Sequence, residues 1–205
     1  MKQGVHRTST FGRRMATVLM VLALVGCGGK PKAIEKDESY RTGPVAPQRD
    51  TEAARSANQD GLEHISKGDL SAAAVAFERA LASDVEYGPA HNNLGKLYFK
   101  QRDWYQAAWE FEYAAKLMPR HGEPRNNLGL VLEEAGELDR AVKRYREAVE
   151  LNGDHVEYRG NLTRVLIKRG ERSDEVRTHL EYVARNDTRD DWVKWAEQEL
   201  AKFND

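Results

Sequence analysis

Gln59, Asn93, Asn127 and Asn161 carry carboxamides at a spacing of 34 residues, and Asn58, Asn92 and Asn126 stand directly before the first three. A carboxamide both donates and accepts hydrogen bonds. A row of them on one surface can pair with the main chain of an extended peptide largely regardless of its sequence, or can satisfy groups within the fold; the sequence leaves both open. A second set, Tyr105, Trp109 and Tyr113, is spaced i, i+4, i+8, which on a helix forms one aromatic stripe. The residues 34 positions away are Ser71, Val75 and Arg79 on one side and Asp139, Lys143 and Glu147 on the other. Their types suit solvent, so the stripe is expected to be exposed, as a protein interface, a face covered by residues 28–50, or isolated rings.

Chemistry of other kinds is missing from the residue pattern. The sequence contains no P-loop, GxSxG elbow, HExxH or CxxC pair. A single cysteine, Cys27, allows neither an internal disulfide nor a Cys-only metal site. His121 and His155 share one position of the 34-residue pattern, where a turn or cap is expected, and His64, His91 and His179 have no acidic or Cys partner at ligand spacing. No catalytic residue, metal, cofactor or small-molecule substrate is therefore expected. With 32 Lys+Arg against 33 Asp+Glu there is no polybasic footprint for nucleic acid.

Cys27 is explained by its position. Lys2, Arg7, Arg13 and Arg14 precede an apolar or small run from Met15 to Val25, the pattern of a signal peptide. Eleven residues at ~1.5 Å each cover about 16 Å, roughly half a bilayer core. The sequence Leu24-Val25-Gly26-Cys27 resembles the bacterial lipobox, and that resemblance implies lipidation of Cys27 as the mature N-terminus after removal of residues 1–26. Removal takes away four basic residues and no acidic one, leaving 28 against 33 and a net charge of −5. Residues 27–50, with Pro31, Pro44 and Pro47 and little apolar content, are expected to be a flexible tether. Gly28 is not the Asp that retains many lipoproteins in the inner membrane of enteric bacteria, so the resemblance implies the outer membrane, with the domain facing the periplasm.

The remaining chain is organised by the 34-residue offset. Asn92-Asn93-Leu94-Gly95 returns as Asn126-Asn127-Leu128-Gly129, and Gly160-Asn161-Leu162-Thr163 follows; Ala73, Ala107 and Ala141, then Phe77, Phe111 and Tyr145, then Ala80, Ala114 and Ala148 keep the same interval. On these residues the chain resembles tetratricopeptide-repeat (TPR) lipoproteins over 51–205. An all-α helical-hairpin solenoid is expected, with repeats near 54–87, 88–121, 122–155 and 156–189 and a capping helix over 190–203. Turns fall near Gly68, Arg102, Gly136 and Gly170, and small residues such as Gly95 and Ala107 let the paired helices approach. In repeat 4 a one-residue insertion would move Val176, Leu180 and Val183 into the places of Ala, ring and Ala. Trp192 and Trp195 read as core of the cap.

The first helix of each repeat is expected to line a concave groove. There the row Gln59, Asn93, Asn127 and Asn161, with Asn92 and Asn126, resembles the asparagine ladder of the repeat domain of O-linked N-acetylglucosamine transferase, with side chains facing solvent. Lys96, Lys100, Arg164 and Lys168 alternate with Glu133 and Glu134. The carboxylate clamp of chaperone adaptors is not matched, because Glu123 and Glu157 stand where a clamp Lys would be and Asn161 where its Arg would be. The resemblance implies a non-enzymatic, lipid-anchored adaptor for a protein or extended peptide in the cell envelope, as in pilus assembly, outer-membrane protein insertion or peptidoglycan enzyme complexes; a self-associating structural lipoprotein or a regulatory subunit of an assembly enzyme is the alternative.

Overall fold

The computed structural model describes residues 49–203; the expected signal peptide, Cys27 and the tether up to residue 48 lie outside them. The described residues form α1 (Thr51–Ser66), α2 (Leu70–Ser83), α3 (Gly88–Lys100), α4 (Trp104–Leu117), α5 (Glu123–Glu134), α6 (Leu138–Leu151), α7 (Val156–Lys168), α8 (Asp174–Asn186) and α9 (Asp190–Ala201), with no strand among them. None of these helices is long and apolar enough to cross a membrane.

Local chemistry fixes the hairpins. Each turn contains one left-handed residue: Gly68 (φ 79°), Arg102 (φ 62°), Gly136 (φ 77°) and Gly170 (φ 85°). Glycine adopts that conformation at little cost, whereas Arg102 pays for its Cβ there. Three of the four second helices then start on side-chain caps, with Asp69 accepting from the Ala72 N–H, Asp103 from the Gln106 N–H and Ser173 from the Val176 N–H, while Glu137 before α6 makes no such bond. Pro89 and Pro124 stand in the first turns of α3 and α5, where the missing N–H is not needed.

Packing within each hairpin sets a ring against a glycine. A Cβ on Gly61, Gly95 or Gly129 would lie 2.4, 2.6 or 2.6 Å from the ring of Phe77, Phe111 or Tyr145 respectively. Repeat 4 exchanges both partners, with fully buried Thr163 at the glycine position and Leu180 in place of the ring. Val176, Leu180 and Val183 are all fully buried, so the insertion in the α7–α8 turn shifts the register by one residue. Ala107, Ala114, Ala141 and Ala148 are also fully buried.

The hairpins stack in chain order. Contacts run between successive first helices, α1 to α3, α3 to α5 and α5 to α7, which places these helices on the inner side of the stack. One continuous core joins α4 through α9, centred on Phe111, Leu128, Tyr145, Leu162 and Leu180. Helices α1 to α3 instead share two smaller clusters, one of alanines (Ala54, Ala57, Ala80 and Ala90) and one in which Phe77 and Ala73 meet Leu94 and Leu97. Its entry is fixed by buried Asp84, which accepts from the Thr51 hydroxyl at 2.7 Å and from Arg49 Nε at 3.0 Å.

Candidate protein-binding site

The asparagines on the inner helices are bonded to one another. Asn93 Nδ2 donates to Asn58 Oδ1 at 2.9 Å, Asn127 Nδ2 to Asn92 Oδ1 at 3.1 Å and Asn161 Nδ2 to Asn126 Oδ1 at 2.9 Å. Each bond crosses from one repeat to the next. Asn127 and Asn161 are buried, as are Asn58, Asn92 and Asn126, and Asn93 is half-buried. The expectation that these side chains face solvent is corrected: inter-repeat stacking brings the two carboxamide rows within bonding distance, and the pairs bury themselves. Gln59, with no repeat before it, is exposed. At the other end Gly160 replaces the accepting asparagine, and a Cβ there would lie 2.6 Å from Trp192 of the cap.

Several groove charges are likewise matched internally, while Lys100 and Glu134 are exposed and make no ion pair among the described residues. Lys96 and Asn92 both donate to Glu123. Arg164 grips Glu133 through Nη2 at 2.8 Å and Nε at 3.1 Å, and the Tyr145 hydroxyl donates to the same carboxylate at 3.0 Å. Burial disfavours the Glu133 charge, but the bonds from Arg164 and Tyr145 and the positive charges of Arg164 and Lys168 outweigh it and hold Glu133 below the usual carboxylate range. Burial and the neighbouring Glu133 push Tyr145 upward. The Glu133 centre escapes a reading by residue type, since its repeat counterparts Ile65, Phe99 and Ile167 are apolar. Its signal is the tyrosine hydroxyl at 145, where repeats 1 and 2 have Phe.

The outer face carries the aromatic residues. Tyr105 is 78% exposed and Trp109 60% exposed, while Val75, the counterpart of Trp109 in repeat 1, is 65% exposed. Tyr113 departs from the stripe: it is half-buried and meets His91 edge-on at 4.6 Å. Beside Tyr105 and Trp109 runs a cleft of about 350 Å³ between α4 and α6, floored by Leu128, Val131 and Leu132, with Arg140 and Arg144 opposite the rings.

The tetratricopeptide repeat profile matches residues 59–123 and 126–190. The chain belongs to the tetratricopeptide repeat family. Among solved structures it is similar to pilF of Pseudomonas aeruginosa (19% identity, 75% of this chain and 74% of that one, TM-score 0.63). It is similar also to YrrB, described as a TPR protein with an unusual peptide-binding site (24% identity, 74% and 80%, TM-score 0.59). A third is the first TPR of Spaghetti (RPAP3), bound to an HSP90 peptide (17% identity, 60% and 98%, TM-score 0.58). At these identities the likeness is one of fold. No curated protein matches the sequence. As a TPR domain, the chain has a fold that mediates protein or peptide interactions.

Within the TPR stack the histidines take structural places. His91 Nδ1 lies 2.6 Å from Glu110 Oε2 and its Nε2 lies 2.8 Å from the Val85 carbonyl, so α3–α4 packing supplies an acidic partner that sequence spacing does not show. His155 takes the expected cap position before α7, its carbonyl accepting from the Tyr158 and Arg159 N–H groups, while its ring makes no cap bond and stacks on Tyr158 with centroids 3.8 Å apart. Among the described residues no three His, Cys, Asp or Glu side chains converge as a metal site. At the C-terminal end of the inner face, Trp192 and Trp195 are half-buried and line a notch of about 180 Å³ together with Arg164 and Asp191. Their expected place in the core is therefore only partly taken up.

Proposed function

We propose that the protein is a lipid-anchored TPR adaptor facing the periplasm, holding a protein of the cell envelope against the outer face of repeats 2 and 3. The observation that carries this reading is the exposed pair Tyr105 and Trp109 beside a cleft with an apolar floor. Large exposed rings next to an apolar recess are what interface anchors require. On the inner face, in contrast, the asparagine rows are bonded to each other and Glu123 and Glu133 are held by neighbouring cations. Cys27 in its lipobox supplies the anchor, and the 21 residues from Gly28 to Gln48 reach at most about 71 Å at ~3.4 Å per residue, enough to work on a partner in the same membrane. Assembly of a pilus or of another envelope complex is the process this reading favours.

Two measurements test it. Cys27→Ser moves the protein from the membrane pellet to the soluble fraction; retention in the pellet with unchanged processing contradicts anchoring. Once in-cell crosslinking has identified a partner, Trp109→Ala weakens binding by about 30-fold, equivalent to ~2 kcal/mol. Unchanged affinity contradicts the outer-face interface.

A further inference from the structure

At the C-terminal end of the inner face, where α9 closes the stack, two indoles meet at 5.3 Å and 75°. The notch they line with Arg164 and Asp191 has room for about one side chain at 180 Å³. Its charges are not equivalent. Arg164 is spent on Glu133, held by two bonds. Arg189, beside the notch, is spent on Asp187 at 2.6 Å. Both guanidinium groups already lie over the Trp192 ring, at 5.3 and 4.5 Å. Asp191 is exposed and makes no ion pair or side-chain hydrogen bond among the described residues, acting on Arg189 only from beyond bonding distance, and no cation there covers Trp195. An uncovered indole next to an unpaired carboxylate is a combination that attracts a cation on an aliphatic stem.

We propose that this notch receives a lysine or arginine side chain from an extended segment of a partner protein, the stem lying on Trp195 and the charged head at the Asp191 carboxylate. The site lies on the inner face, apart from the Trp109 cleft, and stands whether or not that outer face binds a partner. The Asn pairs keep the inner face in register and are largely buried, whereas the notch offers a partner both an aromatic surface and a carboxylate without an ion-pair partner.

The test is titration of the ¹⁵N-labelled full mature chain, carrying Cys27→Ser so that no lipid is attached, with three capped tripeptides, Ala-Lys-Ala, Ala-Arg-Ala and Ala-norleucine-Ala, following the four indole N–H signals. The lysine and arginine peptides are expected to shift the Trp195 signal saturably and to bind at least about five-fold tighter than the norleucine peptide. Asp191→Asn removes that difference. Asp190→Asn, on the same first turn of α9 but outside the notch lining, keeps it, and so does Trp109→Ala. The proposal is overturned if norleucine binds as tightly as lysine, if Asp190→Asn and Asp191→Asn act alike, or if no peptide gives a saturable shift at Trp195.

Discussion

At the scale of residues, the bonded asparagines turn an apparent binding row into a register device. Each pair joins neighbouring repeats, so losing one member leaves a buried carboxamide oxygen without its donor. Asn127→Ala and Asn161→Ala are each expected to destabilise the fold by about 1–3 kcal/mol, and Gln59→Ala by less than ~0.5 kcal/mol, measured by urea denaturation. Equal effects at all three positions would contradict the pairing. Asp84 and Glu133 are two of the carboxylates that set the response to acid, with Glu63, Glu123 and Asp187 also held low by their partners. The Thr51 hydroxyl, with Arg49, holds Asp84 below its ordinary range despite burial, and Arg164 and Tyr145 do the same for Glu133. A lowered folded-state value contributes stability that is complete above the ordinary carboxylate range and is lost as pH falls through the folded value. Thermal stability should thus drop on acidification below about pH 4, and Asp84→Asn should flatten part of that drop while lowering stability at neutral pH. The 34-residue spacing made the asparagine row legible, but its direction was not, because a carboxamide suits a solvated groove and a buried pair equally well; only the distance between adjacent repeats decides.

At the scale of elements, the small-against-large rule explains which substitutions the hairpins tolerate. Ala141 is fully buried against the crossing of α5 and α6, whereas Lys143 on the same helix is exposed. Ala141→Leu should cost about 1–3 kcal/mol by overpacking, and Lys143→Ala less than ~0.5 kcal/mol. The turns give an opposite case. Arg102 is the one non-glycine residue at positive φ among the described residues, so Arg102→Gly should raise stability by about 0.5–1 kcal/mol, while Gly136→Ala should lower it by a similar amount or more. Calorimetric melting of both variants checks the sign. These elements were readable because glycine, alanine and ring recur together at fixed spacing. The register shift in repeat 4 was readable for the same reason, since moving Val176, Leu180 and Val183 by one residue restores the apolar face, whereas the pairing of Thr163 with Leu180 was not. What spacing does not contain is contact between helices, hence the unforeseen meetings of His91 with Glu110 and of Tyr113 with His91.

At the scale of the molecule, the stack is uneven. Helices α4 to α9 share one core, while α1 to α3 rest on two smaller clusters, one of alanines and one of Phe77 with Leu94 and Leu97, and on the Asp84 contacts. In a linear array, stability is the sum of each unit and its neighbours' interfaces, so hydrogen exchange should be fastest in α1 and slowest in α5 to α7. That unevenness leaves the outer face of repeats 2 and 3, with Tyr105 and Trp109, on the rigid part of the stack, where a partner can be held without ordering the scaffold first. The most direct test of this account is in-cell photocrosslinking from residue 105, with exposed residue 185 on α8, outside repeats 2 and 3, as the control. The account predicts a discrete adduct with another envelope protein from position 105, lost when Trp109→Ala is added, and none from position 185. No adduct from position 105, or the same adducts from both positions, would contradict it.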